Sequence, residues 1–126
     1  MKNIQIIHLI FFTLAPFYNA IMDTITHHFS ISIFKNLNFK WWNANESFKY
    51  VKPFLGTRYD AWHVAKYGML ISFAVSIVTY TPIINYWKLY PILNSCSDVV
   101  IHVIYGGIIF ELFYSYIFLI NKNKNT

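Results

Sequence analysis

The sequence predicts an all-α membrane protein with three transmembrane helices and an interfacial helical segment, forming a single membrane domain over residues 1–126. Two observations carry that prediction. The chain is 56% hydrophobic and 21% aromatic, yet only 12% charged, whereas soluble domains carry about 25% charged residues. Its apolar stretches are also long, each near the roughly 20 residues that a helix needs to cross a bilayer core of about 30 Å. The same composition excludes intrinsic disorder, which needs polar, aromatic-poor sequence. Cys96 is the single cysteine, so a disulfide scaffold is excluded as well. At 126 residues the chain suffices for one domain and not for two.

The first predicted span covers residues 4–22, since no formal charge falls between Lys2 and Asp23. A cleaved signal peptide is the rival reading, although bulky Tyr18 stands near Ala20 where cleavage requires a small residue. Between residues 23 and 58 the character changes. Trp41 and Trp42 sit among Lys and Asn, a composition that suits the headgroup belt of a bilayer. Ile31, Ile33, Phe34, Leu37 and Phe39 are spaced to form the buried face of a short helix lying in the interface. Pro53 and Gly56 then break the chain.

The second span covers residues 60–81, with Pro82 ending or kinking it. A loop containing Lys88, Pro91 and Cys96 follows. Asp98 is placed to start the third helix, where a carboxylate complements the helix dipole, and the third span covers 99–120. Lys35, Lys40, Lys49, Lys52, Arg58, Lys66, Lys122 and Lys124 then share one side of the membrane, against Lys2 and Lys88 on the other. The positive-inside rule gives an inner-membrane protein with its N-terminus out and its C-terminus in. The net charge of +5 suits anionic lipid rather than nucleic acid, because the basic residues lie between apolar spans instead of along one soluble face.

With that topology, Asp23 closes the first span at the depth where Asp60 opens the second. His27 and His28 follow Asp23, and His63 follows Asp60 by three residues, a spacing that shares one helix face. Asp23, His28, Asp60 and His63 therefore form a candidate set for a divalent metal, zinc foremost. Plain helix capping and interface placement explain the same residues without a site. Glu111 is the one carboxylate deep inside a span, where an ionised acid costs about 2.5–3.5 kcal/mol on insertion scales. Asp23, Asp60 and Glu111 are the candidate catalytic groups.

Elsewhere, His8, Ala15, Asn19 and Asp23 lie along one helical stripe expected to face the bundle. His8 and Asn19 are expected to make interhelical hydrogen bonds; His102 shares the outer half of the bilayer with His8, and a haem held by the two histidines ranks well below that reading. Ser72, Ser76 and Thr79 are spaced for interhelical hydrogen bonds. Gly106-Gly107 would let another helix approach closely.

Several motifs in order carry a resemblance: Ala20-Ile21-Met22-Asp23, His28-Phe29-Ser30-Ile31-Ser32-Ile33-Phe34, Trp42-Asn43 with Ser47 and Lys49, and Asp60-Ala61-Trp62-His63. Over residues 19–66 the chain is similar to a family of short bacterial and phage membrane proteins. The resemblance implies that His28, rather than His27, is the histidine paired with Asp23. Ala44 and Phe48 depart from the proline and tryptophan usual in that family.

Two expectations from different classes follow. In the first, the Asp/His set on the cytoplasmic side binds a divalent metal and hydrolyses a lipid-linked ester or phosphate, the metal lowering the pKa of bound water. In the second, the chain is similar to a phage holin that opens lesions by oligomerising, or serves a larger membrane partner as an accessory subunit. Either way its expected environment is the lipid bilayer, with a homo-oligomer or larger membrane partner and no nucleic acid.

Overall fold

A computed structural model of the chain describes residues 2–53, 58–80 and 91–120. Its long elements are α1 (Lys2–His27), α4 (Ala61–Val78) and α5 (Pro91–Glu111), the last continued by a wider π-helical stretch over Leu112–Phe118. Between α1 and α4 lie a 3₁₀ turn (Phe29–Ile31) and two single-turn helices, α2 (Phe39–Trp42) and α3 (Ala44–Ser47). Asn3–His27, Ala61–Val78 and Cys96–Phe118 are long and apolar enough to cross a membrane. The all-α, three-helix architecture is therefore present. Gly56, Pro82, Lys88 and the basic tail 121–126 lie outside the described residues.

α1 runs five residues past the expected end of the first span. The Thr24 and Thr26 hydroxyls donate to the Ala20 and Met22 carbonyls, each at 2.7 Å, so their polar groups are satisfied within the helix. The chain then turns at His28, whose N–H still bonds the Thr24 carbonyl at 2.8 Å. Asn45 closes this end from outside, its side-chain amide donating to the Thr26 carbonyl at 2.8 Å. That carbonyl is one of the last four of α1, which lack an intrahelical donor.

The interfacial segment departs from the expected amphipathic helix. Only Phe34 is buried, while Ile31, Ile33, Leu37 and Phe39 are exposed. The cause is local. Ser32 Oγ donates to the Phe29 carbonyl and accepts from the Phe34 N–H at 3.2 Å, closing a turn that competes with helix. The Asn38 and Asn43 side chains then each accept an N–H from two residues on, starting a new short helix each time.

In the third apolar helix, the described part of α5 already runs through the seven residues before Asp98. Asp98 is thus inside the helix, 1% exposed, with its carboxylate accepting a hydrogen bond from the Tyr80 hydroxyl at 2.6 Å.

α1 packs most extensively against α4 and less against α5, while α4 and α5 touch little. Small buried side chains, among them Ala15, Ala20, Ala61, Ala65 and Ser72, permit the α1–α4 approach. Gly68 marks its tightest point, because a Cβ there would stand 2.7–2.9 Å from the Tyr18 ring. The apolar core gathers at the end of the bundle carrying the connecting segment, around Ile25, Phe34, Ala61 and Phe118. The Phe34 ring stacks on Trp42 at 5.0 Å and contacts Phe118 at 5.2 Å. Backbone bonds from Ile33 to the Phe118 carbonyl (2.8 Å) and from Ile120 to the Ile31 carbonyl (3.0 Å) tie the connecting segment to the end of the third apolar helix.

Candidate functional site

Asp60 is 1% exposed and caps α4: its Oδ1 accepts the His63 N–H at 2.9 Å and the His63 Nδ1 at 2.8 Å. The carboxylate thereby fixes the ring tautomer with the proton on Nδ1 and leaves Nε2 as the lone pair. The Asp60–His63 couple forms at the expected i,i+3 spacing. Asp23 and His28 fall elsewhere, beside the third apolar helix. The His28 ring lies 5.7 Å from that of Tyr114, and Asp23 and Glu111 both lie within electrostatic range of the Tyr114 hydroxyl. Asp23 is half-buried, whereas Glu111 is exposed. Among the described residues, no three His, Cys, Asp or Glu side chains gather into a group able to hold a metal ion.

A second constellation lies at the opposite end of the bundle, where the start of α1, the end of α4 and the start of α5 meet. His8, 6% exposed, directs Nδ1 at the Ser76 carbonyl (2.9 Å) and Nε2 at His102 Nε2 (3.0 Å). His102 in turn directs Nδ1 at the Asp98 carbonyl, 2.6 Å away. The Tyr80 hydroxyl donates to Asp98 Oδ2. Phe12 stacks on His8 at 5.9 Å and meets the His102 ring in a T-shaped contact at 4.6 Å. Beside it, Thr13 Oγ1 and the Tyr105 hydroxyl bond at 2.8 Å.

This cluster forms the polar end of a cleft. Because α4 and α5 both pack on α1 but touch each other little, a half-open cavity of about 830 Å³ runs between the three helices. Its walls are largely apolar, with Phe12, Met69, Phe73, Ile77, Val103 and Phe110 prominent. Along α1 it reaches from His8 to Asn19, roughly 16 Å at 1.5 Å per residue. Gly106 and Gly107 belong to its wall. A Cβ on Gly107 would meet nothing within 4 Å, and one on Gly106 only the Phe12 ring at 3.9 Å. The close helix approach expected there occurs instead at Gly68.

The chain has no match among family models, curated proteins or solved structures. The site is therefore defined by its own geometry.

Part of this constellation is visible in the sequence. The stripe through His8 and Ala15 does turn inward, and His8 and His102 do share a depth. Ser76 alone of the predicted hydroxyl stripe meets another helix, its Oγ lying 3.3 Å from His8 Nδ1. The Ser72 and Thr79 hydroxyls bond back to the Gly68 and Val75 carbonyls of their own helix. Tyr80 and Asp98 were missed as site residues. The available signal was an acid and a phenol at the ends of two successive apolar helices.

Proposed function

We propose that the chain is an integral membrane protein of three spans, N-terminus out and C-terminus in, that binds a single-chain amphiphile in the cleft between its helices. The molecule's apolar chain lies along Phe12, Phe73 and Phe110, and its polar head meets the His8–His102–Tyr80 end. One observation carries this reading: the cavity of about 830 Å³ is walled mainly by apolar side chains, with His8, Ser76, Tyr80 and His102 gathered at one end and the single amide of Asn19 towards the other. Ligand sites are typically concave, about 300–1,000 Å³, and mostly apolar with a few converging polar groups. The length of the cleft suits an extended acyl chain, and its open side lets such a chain enter from the lipid. This reading is preferred to a metal-hydrolase centre at the acid–histidine couples because Asp60 Oδ1 already takes two donors as a helix cap.

The test uses the full chain in phosphatidylethanolamine–phosphatidylglycerol nanodiscs with a palmitate analogue photoreactive at its chain end. Saturable labelling should fall on cleft residues and drop at least fivefold in Gly107→Leu, whose side chain enters open space. Label spread over the outward residues Val78 and Ile104, equal in both proteins, would overturn the proposal. So would cross-links that join two copies through the cleft.

A further inference from the structure

We infer that His8 and His102 together form a proton-binding site that holds three ring protons on four nitrogens. This stands whether or not the cleft takes a ligand. The argument is a count of donors. His8 Nδ1 faces the Ser76 carbonyl and His102 Nδ1 faces the Asp98 carbonyl; a carbonyl oxygen can only accept, so both Nδ1 atoms carry protons. If each ring held that proton alone, the two Nε2 lone pairs would point at each other across 3.0 Å. A third proton between them converts that repulsion into an N–H···N hydrogen bond, and the spacing lies within the usual range of about 2.7–3.2 Å.

Two alternatives fit less well. Ser76 Oγ could donate to a bare His8 Nδ1, but it lies at 3.3 Å while the Ser76 carbonyl oxygen lies closer, at 2.9 Å. A metal bridging the two Nε2 atoms would need them further apart. Metal–nitrogen bonds of about 2.0–2.1 Å in a tetrahedral site set the nitrogens about 3.3 Å apart.

The surroundings suit the positive charge that the third proton brings. Ser76 is in the last turn of α4, where the carbonyls lack intrahelical donors and form the negative end of the helix dipole. The Tyr80 N–H bonds the Ile77 carbonyl, so the Ser76 carbonyl takes His8 at 2.9 Å and, more distantly, the Thr79 hydroxyl at 3.5 Å. The Phe12 ring offers its electron-rich face. Of the titratable groups facing the pair among the described residues, the turn after α4 contributes Tyr80 and α5 contributes Asp98, whose carboxylate accepts the Tyr80 hydroxyl hydrogen bond.

The decisive measurement is histidine side-chain nitrogen NMR on the full chain in nanodiscs at neutral pH. The expected spectrum shows two protonated Nδ1 atoms and a third proton coupled to both Nε2 atoms. Ser76→Ala should retain that signal, and His102→Gln should lose it. A bare Nδ1 on either ring would overturn the proposal. So would a missing Nε2–Nε2 coupling, including one replaced by a stoichiometric bound metal in mass spectrometry.

Discussion

Gly68 and Gly107 are interchangeable to a reader of the sequence, each a glycine in an apolar helix. Packing separates them. Gly68 lies under the Tyr18 ring, whereas Gly107 opens on the cleft. Gly68→Ala should therefore destabilise the protein by about 1–3 kcal/mol, the usual cost of overfilling a packed site. Gly107→Ala should be neutral or stabilising, by up to about 1 kcal/mol, from the better helix propensity of alanine. Thermal unfolding of both variants in one detergent checks the opposite signs. Periodicity shows which face of a helix turns inward, and did so for His8 and Ala15. It does not show which ring arrives from a distant turn of the chain, so the crowding at Gly68 was not legible.

Among the elements, the apolar helices were legible because hydrocarbon thickness sets their length and excludes formal charge. Their ends were less so. Asp98 lies within α5 rather than at its start, and the connecting segment divides into turns because Ser32, Asn38 and Asn43 bond their own backbone. Asp60, expected as a metal ligand and catalytic group with helix capping as the alternative, caps α4 and accepts the His63 Nδ1 proton. Asp60→Ala should cost about 1 kcal/mol, within the range of about 0.5–2 kcal/mol for a lost N-cap. Asp60→Asn, which keeps an accepting oxygen at the cap, should recover most of it. Equal destabilisation of the two variants in denaturation would show that the ring contact, rather than the cap, is what α4 needs.

At the scale of the whole molecule, the three long helices expose large apolar side chains on most of their outer surface, Val78 reaching 85%. Such a surface fits lipid. The distribution of lysine and arginine predicts the orientation within it. A reporter fused after residue 45 should be active only in the cytoplasm, and activity outside would reverse the assignment. The sequence supplied depth for each polar group but not adjacency, which arises from contacts between residues far apart in the chain. His8 finds Ser76 and His102 at sequence separations of 68 and 94, whereas Asp23 and His28 go to Tyr114 and leave Asp60 with His63. The depth argument was therefore right about the histidine level and could not select the neighbours.

The backbone tie between residues 31–33 and 118–120 clamps the first and third helices at one end, as the spring does in a clothes-peg. A body wedged between the shafts has little room to spread them there, so the strain travels to the jaws. Those jaws are the helix ends that carry His8 and His102, and the proton the two rings share is the latch that holds them shut.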